Sequence, residues 1–310
     1  MMTIKNVFIV GVAKCGTTAL SEWMVVNGLA EDRVPGEKEP YLYANDEPHA
    51  ARSRNASLPL LDASAGYAFD PATVQRLPKY DTRLVLCLRN QFERMWSFYK
   101  MFKVDSLGGG QAQDYFSSYQ SEGNGTGRAL REASTFSDAV IRICQAYFPR
   151  RSHLIVEGYA RQELEHLRTH TFMQRIEYEL AFHLSRKQFP FFSIISNSFY
   201  YTPLRTLLEH YLPSDLSVIC VSQLDDADAR RRFVDAVFEK SVETPPVPVV
   251  FSSTEIAIDE ARPDFNDRGF DTLRACLQYD LVQARGLIAR TRLGDSLLDN
   301  AELDRYLVTS

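Results

Sequence analysis

Three short stretches of this chain carry residues whose types and spacing could do chemistry. The first is Gly11-Val12-Ala13-Lys14-Cys15-Gly16-Thr17-Thr18. Two spaced glycines before a helix make a loop whose backbone N–H groups, with the helix N-terminus, point at one spot and bind an anion. Lys14 adds a mobile positive charge, and Thr17 and Thr18 add hydroxyl donors. The second stretch is Glu37-Lys38-Glu39, which offers a carboxylate beside a cation, the material of a general base. The third runs from Arg89 through Arg94 to Ser97. Arginine binds phosphate in bidentate fashion, and an arginine leaving the carboxyl end of a parallel strand sits where open α/β sheets take ligands. Each stretch also has an ordinary reading: a glycine turn with a solvated lysine, an exposed acidic turn, and a surface arginine above a helix-face serine.

The flanking residues say what must position these groups. Val7, Phe8, Ile9 and Val10 form an apolar, β-branched run suited to a buried parallel strand. A helix follows from Thr17, with Ala19, Leu20, Trp23, Met24 and Val26 on one side and Asn27-Gly28 as its stop. Residues 83–89 repeat the pattern: a buried strand runs directly into a helix at 92–102, with Phe92, Met95, Trp96, Tyr99 and Phe102 at helical spacing. Two strand–turn–helix units predict an α/β fold with a parallel sheet. Further strands are expected at 60–64 and 216–221. Further helices are expected at 72–77, 136–148, 162–184, 201–211, 228–239 and 270–290. Residues 105–135 contain Gly108-Gly109-Gly110 and Gly123-Asn124-Gly125-Thr126-Gly127, which reads as a lid or as a surface insertion. The segment at about 250–310 is expected to be helical. The whole of 1–310 reads as a single domain.

Bulk composition limits the function classes. The chain has 310 residues, 45% hydrophobic and 24% charged, which are ordinary globular values. Its net charge of −5 argues against a general nucleic-acid binder, while leaving room for a local basic pocket. The five cysteines include no CxxC pair, so neither a disulfide framework nor a zinc site is indicated, and a reducing cytoplasm is the expected compartment. Cys87 and Cys220 lie in apolar runs and are expected to pack as small hydrophobes. No stretch approaches the roughly 18 apolar residues of a membrane-spanning helix, and no signal peptide is expected. The acceptor patterns Asn55-Ala56-Ser57 and Asn124-Gly125-Thr126 are read as chance. No metal-ligand cluster is visible.

Three motifs together resemble a known family. A Walker A loop, GxxxxGK[ST], would place lysine directly after the second glycine. Here that place is held by Thr17, and the lysine lies inside the loop. The resulting AKCGTT resembles the PKSGTT-type loop of sulfotransferases that use 3'-phosphoadenosine 5'-phosphosulfate (PAPS). Arg89-Asn90-Gln91-Phe92-Glu93-Arg94-Met95-Trp96-Ser97-Phe98-Tyr99 resembles that family's RNPxxRxxSxY, with Gln91 in place of proline. Glu37-Lys38-Glu39-Pro40-Tyr41-Leu42-Tyr43 resembles the KExxFF-like segment of the branch that includes the heparan sulfate enzymes and bacterial relatives. Asp62-Ala63-Ser64-Ala65-Gly66-Tyr67 falls where that branch has EKTPAY, but Ala63 stands in the lysine position, which counts against a heparan-type acceptor.

The resemblance implies a P-loop NTPase-like three-layer sandwich with a central parallel sheet. It implies transfer of a sulfuryl group from PAPS to an acceptor hydroxyl, on a carbohydrate or glycolipid, with no metal. Glu39 is then the general base, with Glu37 and His49 as alternatives. Lys14 stabilises the leaving oxygen. Lys14, Cys15, Gly16, Thr17 and Thr18 hold the 5'-phosphosulfate end, and Arg89 and Ser97 hold the 3'-phosphate. Ser198, Tyr200 and Tyr201 are candidates for lining the nucleotide pocket. Two other functions remain open on the residues alone: a P-loop kinase or nucleoside triphosphatase, and a non-catalytic nucleotide-binding protein of the same fold.

Overall fold

The computed structural model describes residues 4–36, 38–43, 57–106, 138, 141, 152–184, 193–248 and 257–291. Glu37, His49, most of the glycine-rich 105–135 segment, most of the helix expected at 136–148, and residues 292–310 lie outside the described residues.

Five parallel strands form the sheet: β1 (Asn6–Gly11), β2 (Glu31–Asp32), β3 (Leu60–Asp62), β4 (Thr82–Leu88) and β5 (Leu216–Cys220). Their order is β2-β3-β1-β4-β5, so β1 lies in the middle. β1 pairs with β3 through Asn6↔Leu60 and with β4 through Asn6↔Thr82, and β4 pairs with β5 through Leu84↔Leu216. Strand order reverses between β3 and β4, on either side of β1. The crevice at the carboxyl ends of β1 and β4 is therefore the place where such sheets take ligands. Val7, Phe8, Ile9 and Val10 are all fully buried, as are Leu84, Val85, Leu86 and Cys87, which is why both runs are continuously apolar.

Helices flank the sheet: α1 (Thr17–Val26), α2 (Pro71–Arg76), α3 (Gln91–Ser106), α4 (His153–Thr169), α5 (Phe172–Leu184), α6 (Tyr201–His210), α7 (Ala227–Phe238) and α8 (Asp271–Thr291). Asp70 caps α2 by accepting from Ala72 N at 3.1 Å, with Pro71 as first residue. The helix expected across 162–184 is two helices. His170 is extended, and Thr171 opens a new helix with a capping box: Thr171 N donates to Gln174 Oε1 at 2.9 Å, and Gln174 N donates to Thr171 Oγ1 at 3.3 Å. β2 is not expected from the sequence, since two acidic residues make no apolar run.

α3 is the long helix that follows β4. Asn90 caps it by accepting from Glu93 N at 3.1 Å. Its apolar face joins a second core, with Phe92 stacked on Phe265 at 4.9 Å and Trp96 edge-on to Phe172 at 5.3 Å. That packing fixes the helix that faces the glycine loop.

Candidate functional site

The loop after β1 is tied down from several directions. Val12 N donates to Cys87 O at 2.9 Å, which anchors the loop to β4. Cys15 N closes a tight turn onto Val12 O at 3.1 Å. Lys14 and Gly16 both have left-handed backbones, at φ 70° and 84°. Alternation of this kind forms a concavity of N–H groups suited to anions. Glycine is required at position 16 for a second reason: a Cβ there would meet Val221 Cγ2 at 2.9 Å. Gly16 is exposed, so the mouth of the loop and the N-terminus of α1 are open.

Beneath the loop the polar groups are buried and mostly paired. Arg94 is fully buried; its Nε donates to Ala13 O at 3.0 Å, and its Nη1 donates to Ile194 O at 2.9 Å and to Ser198 Oγ at 2.8 Å. Its Nη2 is a buried donor with no hydrogen-bond partner among the described residues. Gln91, where the family motif has proline, is also buried and donates from Nε2 to Ser198 O at 2.9 Å. The Tyr200 hydroxyl donates to Arg89 O at 2.7 Å and sits 3.9 Å from Cys15 Sγ. Ser198 and Tyr200, both fully buried, therefore act as supports under the loop. The Cys15 thiol faces the same interior. Burial pushes its pKa up, opposed by the charges of Arg94, Arg89 and Lys14.

These supports are held in turn from α4 and α5. Arg175 donates from Nε to Glu179 at 2.7 Å and from Nη2 to Glu163 at 2.8 Å, all three side chains being buried. Glu179 then accepts from Ile194 N at 3.0 Å and Ile195 N at 2.9 Å, which fixes the turn bearing Ser198. On the other side, Asp280 of α8 accepts from Tyr200 N at 2.6 Å and Tyr201 N at 3.1 Å. Burial outweighs these donors and pushes Asp280 up to about 6.

The open side gathers cations. Arg89, its side chain 37% exposed, donates from Nη1 to Lys14 O at 3.4 Å and lies 3.9 Å from Glu93, a weak ion pair. Lys14 Nζ lies 3.6 Å from Met101 Sδ on α3. Lys100 is buried, and burial together with the Arg89 charge lowers its pKa. Arg94, Ser97 and Met101 are three and four residues apart on α3 and so share one face. Arg94 and Met101 both touch the loop, which puts buried Ser97 between them, facing the same way. Lys100 is not among the site residues expected from the sequence, although its place one turn after Ser97 is a signal that could have found it.

Glu39 stands beside the start of α1. Lys38 Nζ donates to Thr17 Oγ1 at 3.2 Å and to Glu39 Oε1, and the Tyr41 hydroxyl donates to Glu39 Oε2 at 3.0 Å. Thr17 is buried and Thr18 half-buried. The segment is stitched to the end of β3: Ala63 N donates to Lys38 O at 2.9 Å, and Tyr41 N donates to Ser64 Oγ at 3.0 Å. Ser64 in turn donates to Asp62 Oδ1 at 2.6 Å, and the Tyr67 hydroxyl donates to Asp62 Oδ2 at 3.1 Å. Asp62, with Arg33 beside it, is fully buried, and burial raises its pKa. The tertiary structure thus brings Lys14, Gly16, Thr17, Arg89 and Glu39 to one sheet edge. Among the described residues no group of three His, Cys, Asp or Glu side chains is gathered to hold a metal ion. No described helix is long and apolar enough to cross a membrane.

Comparison with known proteins adds to this geometry at the level of the fold. No protein-family model and no curated protein matches the chain. Among solved structures, a sulfotransferase from Alicyclobacillus acidocaldarius superimposes with a TM-score of 0.51 at 15% identity, over 92% of this chain and 96% of that one. What the two share is the fold. That fold is α/β, with a central all-parallel sheet of five strands flanked by helices, consistent with the P-loop-like architecture expected from the sequence.

Proposed function

We propose that this chain is a PAPS-dependent sulfotransferase acting on a hydroxyl acceptor. The reading rests above all on one observation. Lys14, Lys38 and Arg89 meet the open glycine loop at the carboxyl ends of β1 and β4, directly beside a carboxylate, in a chain whose net charge is −5. A donor carrying phosphate at both ends suits this chemistry. The loop N–H groups and Thr17 and Thr18 would hold its 5' end, and Arg89 and Ser97 its 3'-phosphate. Lys100, on the same helix and sensing the charge of Arg89, would add to that end. The family resemblance of the three motifs and the shared fold lend support.

The donor supplies the sulfuryl group and leaves as adenosine 3',5'-bisphosphate. In this reading Glu39 takes the proton of the acceptor hydroxyl as its oxygen bonds to sulfur and the bond from sulfur to the bridging oxygen breaks. Lys14 stabilises the charge left on that bridging oxygen. In related transfers, fixed charge aimed at the charge that develops contributes more to the rate than any other effect. The acceptor class we propose is a carbohydrate or glycolipid hydroxyl, following the branch that the Lys38-Glu39 segment resembles. The proposed compartment is the cytoplasm, since the cysteines show no pairing pattern.

Thermal unfolding with adenosine 3',5'-bisphosphate, against ATP, GTP and AMP, tests the reading. At 100 times its dissociation constant a ligand adds about 2.7 kcal/mol, which raises the midpoint of a chain this size by several degrees. A shift with the bisphosphate alone is expected. A shift only with ATP or GTP plus magnesium would replace the proposal with a kinase or triphosphatase.

A further inference from the structure

One ammonium has two partners at this site. Lys38 Nζ bridges Thr17 Oγ1, at the mouth of the glycine loop, and Glu39 Oε1. The two side chains of the pair are 23% and 11% exposed, so the bridge is open enough to move. Its backbone is not free to move with it. Lys38 O accepts from Ala63 N at 2.9 Å, and Tyr41 N donates to Ser64 Oγ at 3.0 Å, which ties the backbone on both sides of Glu39 to the end of β3. Glu39 keeps a second tether, the Tyr41 hydroxyl at 3.0 Å, whichever way Lys38 points.

We propose that Lys38 couples donor binding to the base: an anion seated in the glycine loop draws the ammonium away from Glu39, which uncovers Oε1 for the acceptor's proton. This rests on the sulfotransferase reading for the identity of the anion, but the coupling itself needs only an anion at the loop. A carboxylate and a phosphate or sulfate at Thr17 compete for the same cation. A group with more negative charge at the same range wins that competition. Glu39 is thereby masked by its own neighbour while the loop is empty, and stays oriented by Tyr41 once the loop is filled. No covalent step is involved; an ion pair is exchanged.

The test is a double-mutant cycle read by calorimetric binding, with adenosine 3',5'-bisphosphate and inorganic sulfate as separate probes. Glu39→Gln releases Lys38 to the loop and is expected to tighten both anions roughly tenfold. Lys38→Met is expected to weaken both by a similar factor. The double variant is expected to bind like Lys38→Met alone, because the carboxylate acts only through the lysine. Lys38→Gln, which keeps a polar contact with Thr17, serves in the same cycle if the methionine variant does not fold. Affinity unchanged in Glu39→Gln overturns the proposal. So does tightening that persists without Lys38, since the carboxylate would then be a general repulsive charge. Wild-type protein that binds the bisphosphate no more tightly than sulfate, with the cycle intact, refutes the sulfotransferase reading and leaves the coupling standing. Wild-type protein that binds neither anion overturns both.

Discussion

The two arginines of the strand–helix junction make opposite use of the same side chain. Arg94 is fully buried, bonded to two carbonyls and a hydroxyl, and faces no carboxylate among the contacts of its guanidinium. Arg89 is over a third exposed, with one long contact to Lys14 O and a loose pairing to Glu93. The first fastens the loop to the 194–198 turn. The second stands at the mouth with its side chain partly exposed. The underside of the loop is held by mostly paired buried hydrogen bonds, and the open side carries partly exposed charge. A rigid floor under a charged, accessible rim is how a site holds preorganised donors without reorganising them when the ligand arrives.

That contrast can be broken from below first. Arg94→Met should cost about 3 kcal/mol of stability, because it strips partners from the buried carbonyls of Ala13 and Ile194. Urea unfolding measures it; a loss below about 0.5 kcal/mol, the range of an ordinary surface change, would show that the floor does not depend on this arginine.

A second change sharpens the comparison through pH. Asp280 holds the start of α6 from α8, and burial raises it to about 6. The native state therefore keeps a proton between about pH 4 and 6 that the unfolded chain has released. Stability from this group is fully present below about pH 4 and is lost as pH rises through about 6. Relative to wild type, Asp280→Asn should gain about 2–3 kcal/mol between about pH 4 and 7. A pH-independent difference in urea unfolding would mean that the two N–H donors fully offset burial.

The rim gives the smallest effect on the fold and a selective one on binding. Arg89→Ala should leave stability within about 0.5 kcal/mol of wild type, since its ion pair is exposed and long. Its affinity for adenosine 3',5'-bisphosphate should fall at least roughly tenfold. Equal losses of stability and affinity would place Arg89 with Arg94 in the floor.

Much of this is legible in the chain. Val7–Val10 and the run through Cys87 announce buried parallel strands because both their faces are covered by helices. Asp70-Pro71 and Asn27-Gly28 mark helix ends through local backbone chemistry that needs no distant partner. The break at His170 is hidden although Thr171 and Gln174 spell a capping box, since apolar spacing continues across it. The Asp62–Tyr67 stretch reads as a strand end and turn. Its role as the bracket for Tyr41 emerges only when Ser64 and the Tyr41 backbone meet.

The order of residues is enough to specify most of the elements and the loop, since strand burial, glycine geometry and capping act over a few residues. Which charges are committed and which stay open is settled by contacts between distant segments. Arg89, just after β4, and Arg94, in the first turns of α3, are the same residue type five positions apart, and only Ser198, Ile194 and Ala13, brought from distant parts of the chain, separate scaffold from rim. Lys38 likewise acquires two claims on its charge only where β3 lays its segment against the start of α1. Burial and pairing are properties of neighbours in space, and a single sequence does not state who those neighbours are.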